Sequence, residues 1–563
     1  MARVVSIGAQ GFESLRENNA FYVDKTAFIT DWWLSLDPVT LITRPRRFGK
    51  TLMLDTVRCF FSTEFAGRGE ELFGGLAVWE NPEMRQLQGA VPVVFISFAN
   101  VKERTMDSTL KVIKDILRIE VERHSYLWES EHVKQGDRAA LAAIKTDMDD
   151  AEATRSISLL CRALEAHWNT KPIVLLDEYD TPMQAAWLGG FWDELSIFLR
   201  AFMDSSFKTN PALDRALMTG ITRISRESIF SGLNNLRVCG VLDNKYQTAF
   251  GFTEQEVETS LKEFGLTDEF SNVQMWYDGF CFGGINDIYN PWSITGYLDS
   301  RRIDTYWINT SDNALAADLV RRGTNDLKKD FELLLKGKTV TKAINEQVVF
   351  SDLETDSGAV WSLLVASGYL TLAEIYPTDS RSPKKLKITN KEVMLGFDDQ
   401  INRWFGRERE YYNGFVSSIL SANAEDATDD LNDITLSCMS SFDGATKTAE
   451  SEPERFYHGL VLGLLVSLRG RYTVESNRES GRGRCDVLLV PVDNNHKDPA
   501  IIIEFKVFDA RRESTLEDTA ERALVQIEEK VYATTLVERG FTAEQILSYG
   551  IAFKGKEALV VLK

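Results

Sequence analysis

The sequence predicts an α/β chain with a parallel sheet in its N-terminal part, a mostly helical middle and a smaller α/β unit at its C-terminal end. Three observations predict it. Apolar runs suited to buried strands (Leu41-Ile42-Thr43, Pro92 to Phe98, Ile173 to Leu176) alternate with segments whose apolar residues recur at helical spacing, the succession that builds parallel sheets. The first of these runs passes through a basic turn straight into a helix start. Near the end, Arg484 to Val490 and Ala500 to Val507 are two strand-like runs between amphipathic helices, within about 110 residues, the size of a small domain.

The basic turn carries the first chemistry. Leu41 to Leu54 reads as a strand end, a tight turn and a helix in which Met53, Val57 and Phe60 recur at helical spacing. A triphosphate needs converging backbone N–H groups, an ammonium between its β- and γ-phosphates, and a hydroxyl on the magnesium ion. Gly49-Lys50-Thr51 supplies that set at a helix N-terminus, and Arg46 and Arg47 of the same turn join it as nucleotide-binding candidates. The spacing departs from G-x-x-x-x-G-K-[ST] because Arg44 stands at the first glycine position. Alone, Gly-Lys-Thr also fits an ordinary helix-start turn. What favours a nucleotide is the apolar strand Ile173 to Leu176 ending in two carboxylates, Asp177 for the magnesium-bound water shell and Glu178 to orient or deprotonate the attacking water. The cofactors expected are therefore ATP and Mg²⁺, with Thr51 and Asp177 at the metal.

Composition narrows the class. The chain has 563 residues, 44% of them apolar, enough for about two to four packed domains. No run of ~18 apolar residues exists and Met1 to Ser6 lacks the apolar core of a secretion signal, so the expected location is the cytoplasm, with no membrane partner. Six cysteines form no C-x-x-C pair and five histidines show no zinc-ligand spacing. A net charge of −20 argues against a protein that coats nucleic acid indiscriminately, so any such site must be a local basic patch.

Taken in order, residues 1–240 are expected to form the nucleotide-binding core. Tyr22 and Asp24 precede its first strand and either pack beside it or contribute to a base pocket. Leu110, Ile113, Leu117 and Val121 mark one helix, and Ile157, Leu160, Leu164 and Trp168 another. Arg215 to Arg226 begins as a short strand ending in a hydroxyl, Thr219, placed where P-loop ATPases of the AAA type set a sensor of the γ-phosphate. Arg223 and Arg226 either stabilise charge on the phosphoryl group or are surface ion-pair partners. Residues 241–340 open with a capping box and hydrophobic staple (Phe252, Thr253, Glu256, Val257) and read as a helical lid. Trp276 to Gly283 and Tyr289 to Ile294 are aromatic turns, read as structural. Residues 341–442 read as a mostly helical connector without chemical signature, Ala424 to Asp430 being a solvated charge run. Asp443 to Pro453 read as a linker, opening the last region, 443–563.

The second constellation follows. A helix from Glu454 has Phe456, Leu460, Leu464 and Leu468 on its apolar face, with Glu454 and His458 to one side. Period-two alternation sets Glu504 and Lys506 on one face of their strand, and a hairpin brings Asp486 alongside. Two carboxylates and a lysine make a magnesium site of the kind that phosphodiester hydrolysis requires, with Asp486 and Glu504 as ligands and Lys506 positioning or activating water. A surface strand with a polar face gives the same letters; Ile501, Ile503 and Phe505 as a buried opposite face favour the site. Gln526 and Lys530, one helical turn apart, either reach phosphates or the metal-bound water or decorate an exposed helix. Arg478, Arg482 and Arg484 offer the local phosphate patch.

Both constellations with their flanks resemble a known family. Phe21 to Thr26, Thr43-Arg44-Pro45-Arg46-Arg47-Phe48-Gly49-Lys50-Thr51, Leu175 to Asp180 and Tyr289-Asn290-Pro291-Trp292-Ser293 look like the AAA-ATPase-like proteins of bacteria, in which a PD-(D/E)XK nuclease-superfamily domain follows the ATPase region. Tyr457-His458-Gly459, Glu475 to Asp486 and Ile503-Glu504-Phe505-Lys506 match that second part. The resemblance implies an AAA-type core with a helical lid and a restriction-endonuclease-like C-terminal domain. It makes Arg44 normal for the family, departs at Cys485, where the superfamily usually has proline, and assigns catalytic roles to Glu454 and to Gln526 or Lys530. The partners expected are nucleic acid, DNA before RNA, at the C-terminal domain, and further copies of the chain through the ATPase. Two functions stay open: an ATP-controlled magnesium-dependent nuclease, in defence or mobile-element biology, and an ATP-driven switch or scaffold whose last domain binds without cutting.

Overall fold

The computed structural model describes residues 2–563 apart from 225–228, 231, 309–324, 336, 346, 349–356, 375–381, 398–408, 440–459, 463, 466–467, 469, 481–482, 494–497, 511 and 556. The chain divides into two compact units, Met1–Asp398 and Asp399–Lys563.

The first unit is built on five parallel strands, β1 (Val39–Thr43), β2 (Val93–Ser97), β3 (Ile173–Asp177), β4 (Arg215–Gly220) and β5 (Leu236–Cys239), in the order β2-β3-β4-β1-β5. Every position of β1, β3 and β4 is buried, as expected of parallel strands covered on both faces, which is why they read as continuous apolar runs rather than alternating ones. The intervening helices include α1 (Lys50–Phe61), α2 (Met106–Arg123), α3 (Asp150–Trp168) and α4 (Thr181–Gly189). A capping box of Asp149 and Glu152 starts α3. Register sets Ile42 beside Thr219 and Ser97 beside Asp177, so the carboxyl ends of four strands are level. The chain leaves β1 for β2 at the far edge while β5 flanks its other side. A crevice at the carboxyl ends beside such a strand is where open α/β sheets bind ligands.

Beyond the parallel sheet the middle is helical, and it also holds small antiparallel sheets. Ile285–Tyr289 pairs with Phe252–Thr253 and Phe280–Phe282, and Lys384–Ile388 with Val340–Lys342 and Leu370–Leu372. Both halves of the Thr253/Glu256 capping box form, and Phe252 and Val257 share one apolar cluster. Helix α5 (Pro291–Ser300) starts at Asn290, whose Oδ1 accepts from Trp292 N and Ser293 N. The sequence divisions at 240 and 340 fall within this first unit.

The second unit holds β6 (Tyr472–Ser480), β7 (Gly483–Pro491), β8 (Ala500–Val507), β9 (Ile546–Lys554) and β10 (Glu557–Leu562) in that spatial order, antiparallel except for β8 against β9. That parallel pair needs a crossover, supplied by α8 (Leu516–Glu529). Two helices that the sequence reading grouped with the connector, α6 (Arg409–Leu420) and α7 (Ala424–Met439), belong to this unit. Phe415, Ile419, Leu431 and Ile434 enter one core with Val487, Ile501, Ile503 and Phe505. Leu524 and Ile527 of α8 cover the opposite face with Leu488 and Ile502. The linker at 443–453 and the side chains of Glu454, His458, Arg226 and Arg482 lie outside the described residues. Among the described residues no helix is long and apolar enough to cross a membrane.

Candidate functional site

At the end of β1 the chain turns into α1 with Arg47 (φ 65°) and Gly49 (φ 80°) in the left-handed region, a conformation that glycine adopts without strain. Lys50 opens the helix, 6% exposed, its Nζ donating to the carbonyls of Arg44 (3.0 Å) and Pro45 (2.8 Å). Burial lowers its pKa, opposed by the carboxylates of Glu178, Asp177 and Asp180. Thr51 Oγ1 donates to Asp177 Oδ2 at 2.8 Å, and Thr219 Oγ1 donates to Asp177 Oδ1 at 2.6 Å. Residues separated by 126 positions thus meet at one carboxylate. Burial raises the Asp177 pKa, and the two hydroxyls counter it.

Glu178 follows at φ 49°, half-buried, accepting from Thr181 Oγ1 at 3.0 Å. It lines a cleft of about 470 Å³ with Arg46, Arg47, Gly49, Lys50 and Thr51, a volume within the range of small-molecule sites. Tyr22 lines it too. Asp24 does not: its carboxylate accepts from Thr26 N, Thr26 Oγ1 and Ala77 N. Asp177 is fully buried and Thr219 1% exposed; neither lines the cleft, and both connect to it through Thr51, whose hydroxyl donates to Asp177. Arg223 lies past the cleft in a two-residue strand paired with Gln347–Val348.

Arg44 has a distinct task. Fully buried, it donates through one guanidinium nitrogen to the carbonyls of Thr43 (2.8 Å), Cys239 (3.1 Å) and Gly240 (2.7 Å), and through the other to Tyr246 (3.2 Å). It ties the start of the turn to the end of β5, so the residue in the glycine position is a brace. Phe48 anchors the other side of the turn, edge-on to Phe280 and Phe282. Arg47 stacks its guanidinium 4.3 Å from the Trp292 ring, and Arg46 donates to Gln184 Oε1 at 3.3 Å.

Sequence reasoning assigned no role to Asp180, which is 1% exposed and accepts at one oxygen from Ile221 N, Thr222 N and Thr222 Oγ1, each at 3.0 Å. It fixes the turn after Thr219. The signal was present, a third carboxylate two residues after Glu178, but its donors lie 41 and 42 positions on.

In the second unit the β7–β8 pairing sets Val487 against Ile503, which brings Asp486 and Glu504 opposite one another. Asp486 Oδ2 accepts from Phe505 N at 2.9 Å, and Glu504 Oε2 accepts from Asp486 N at 3.4 Å. Lys506 Nζ donates to Glu504 Oε1 at 3.2 Å, and Gln526 Nε2 donates to that same oxygen from α8. Tyr532 OH, which the sequence did not single out, accepts from Gln526 at 3.3 Å. Glu504 is 1% exposed, and burial followed by the Asp486 charge raises its pKa to about 7. Lys530, one turn beyond Gln526, is exposed.

Magnesium is a hard cation that takes oxygen ligands, often only one or two carboxylates with the remaining positions filled by water or phosphate. Two juxtaposed carboxylates with one ammonium, Asp486 and Glu504 beside Lys506, fit that donor chemistry and leave negative charge for a cation to neutralise. The Thr51 hydroxyl on Asp177 fits it as well. Among the described residues no group of three or more His, Cys, Asp or Glu is disposed to hold a metal, so protein ligands would be few at either place.

A strand-to-helix turn with its lysine and threonine facing an acidic strand, and a carboxylate hairpin backed by a helix, together define a two-module chain of the P-loop and nuclease-fold classes. Family comparison agrees. Residues 6–230 match the AAA-ATPase-like family, described as predicted AAA-ATPase, and residues 452–562 match the PD-(D/E)XK nuclease superfamily. The chain therefore carries an AAA-ATPase-like domain and, at its C-terminal end, a PD-(D/E)XK nuclease-superfamily domain. It is also similar to a curated relative called "Uncharacterized protein in vnfD 5'region" from Azotobacter chroococcum mcd 1, 26% identical over 397 residues, covering 70% of this chain and 69% of the relative.

Proposed function

We propose that the chain binds and hydrolyses Mg·ATP in the N-terminal cleft and that this controls magnesium-dependent cleavage of nucleic acid phosphodiesters at the Asp486/Glu504 pair, with roles in defence or mobile-element biology. The observation that carries the reading is that each split motif closes on itself: Thr51 on Asp177, and Asp486 across from Glu504. In the cleft, Lys50 neutralises phosphate charge, Thr51 and Asp177 hold the cation's water shell, Thr219 fixes the Asp177 carboxylate, and Glu178 receives the proton of the attacking water. At the second site Asp486 and Glu504 would hold the metal, which would supply charge stabilisation to the phosphodiester. Lys506 orients the attacking water, and Gln526 keeps Glu504 in place. The preferred substrate is DNA, and the ATPase assembles as a homo-oligomer.

A second reading is favoured by the net charge of −20, which opposes broad nucleic acid binding: an ATP-driven switch whose last domain binds without cutting. The deciding experiment incubates purified protein with plasmid, single-stranded DNA and RNA in magnesium, with and without ATP. The nuclease reading expects cleavage that vanishes in Glu504→Ala and Asp486→Asn. Cleavage surviving Glu504→Ala removes the assignment, and nucleotide-dependent assembly with no cleavage selects the switch.

A further inference from the structure

Two groups distant in sequence converge on one carbonyl of the phosphate-binding turn. The Arg46 C=O accepts from Trp307 Nε1 at 3.0 Å and from Asn290 Nδ2 at 3.4 Å. Both donors are tied to one buried carboxylate. Glu392, 1% exposed, accepts at Oε1 from Trp307 N (2.5 Å) and Ile308 N (3.4 Å), and at Oε2 from Ser293 Oγ (2.7 Å) in the first turn of α5. The Asn290 amide cannot rotate freely, because its Oδ1 caps α5 by accepting from Trp292 N at 2.8 Å and Ser293 N at 3.4 Å. Burying an ionised carboxylate is costly without compensating donors, and those of Glu392 include the backbone N–H of Trp307 and the hydroxyl of Ser293, whose own N–H donates to the Asn290 cap.

A trans peptide points its C=O and its N–H in opposite directions. Holding the Arg46 carbonyl on the Asn290/Trp307 side therefore turns the Arg47 N–H to the other side, within a turn whose residues Arg46 to Thr51 line the cleft. Among the described residues no acceptor takes the N–H of Arg47, Phe48 or Gly49. Left-handed φ values at Arg47 and Gly49 belong to the alternating backbone that gathers successive N–H groups into an anion-binding concavity.

We infer that Asn290, Trp307 and Glu392 are positioning residues that hold the Arg46–Arg47 peptide in the orientation that binds phosphate. This rests on the nucleotide reading above and extends it to a part of the chain more than 240 residues away in sequence. It also gives the Tyr289-Asn290-Pro291-Trp292 turn a task beyond packing.

The test is equilibrium binding of ATP and of inorganic tripolyphosphate to the full chain, with adenosine as competitor, for wild type, Asn290→Ser, Trp307→Phe and the double variant. Serine keeps a helix-capping oxygen, and phenylalanine keeps the ring that packs on Phe280 and Tyr369, so each change removes mainly the donor to Arg46. The double variant is expected to bind ATP and tripolyphosphate about tenfold more weakly, by the same factor, while adenosine competes as it does in wild type. Unchanged ATP affinity in the double variant overturns the inference. So does a loss shared equally by adenosine and accompanied by a lower melting temperature, which is what a purely structural role produces. Lys50→Ala runs alongside: if it binds ATP as well as wild type does, the nucleotide reading itself fails and the clamp falls with it.

Discussion

Replacing Arg44 with alanine is expected to destabilise the first unit rather than to remove a phosphate ligand. The guanidinium is fully buried, donates to four backbone carbonyls, and lies 4.8 Å from the Phe282 ring centre. A hydrogen bond from a charged donor contributes ~1.5–3 kcal/mol, and because three of these share one nitrogen the set counts as about two such bonds, ~3–6 kcal/mol in total. We take about 4 kcal/mol. Unfolding entropy scales at about 2.1 cal/mol/K per residue, so for a unit ending at Asp398 the melting temperature should fall by about 5 °C. Calorimetry without nucleotide reads this directly, and ATP affinity measured well below the transition should fall less steeply than in Lys50→Ala. Arg44→Gly, which restores the usual motif letter, should be no better than alanine. An unchanged melting temperature with ATP affinity lost would refute the brace and make Arg44 a phosphate ligand.

Other outcomes follow from the same contacts. Thr219→Val removes the hydroxyl that donates to Asp177 at 2.6 Å while keeping its shape; ATP turnover should fall about tenfold with ATP affinity altered less than twofold, and an equal loss in both would place Thr219 on the nucleotide instead. Asp278 has its pKa raised from 3.8 to about 7 by burial first and by the Asp287 charge second. An acid whose folded pKa is raised takes up its penalty as pH climbs from the unfolded value to the folded one. The melting temperatures of wild type and Asp278→Asn should therefore coincide near pH 4 and diverge up to about pH 7, with the variant the more stable; parallel curves would contradict the shift.

Much of both sites was legible because the chemistry is written locally. Gly49-Lys50-Thr51 sits at a helix start, Asp177 ends a strand buried on both faces, and a strand period of two predicts that Glu504 and Lys506 share a face, which their 3.2 Å contact bears out. The antiparallel pairing that opposes Asp486 to Glu504 follows from two strand runs that lie close together in the sequence. What was not legible depends on pairings between remote segments. Arg44 reads only as a departure from the usual motif letter, without a task, until the carbonyls of Cys239, Gly240 and Tyr246 are brought round it. Asn290 reads as part of an aromatic turn, and Trp307 carries no signal of its own, until the Arg46 carbonyl appears beneath them. The helices α6 and α7 carry no chemical letters, and only the apolar face of the C-terminal sheet shows where Phe415 and Leu431 belong. Tyr532 lies past the end of α8, where helical periodicity no longer relates it to Gln526.

Titration calorimetry of Mg·ATP into wild type, Lys50→Ala and Asp177→Asn tests the central claim most directly, that a lysine and an aspartate from separate segments jointly hold one nucleotide. Wild type should bind with a single site, Lys50→Ala should show no measurable heat, and Asp177→Asn should bind ATP equally with and without magnesium. Equal, magnesium-dependent binding by all three proteins would contradict it.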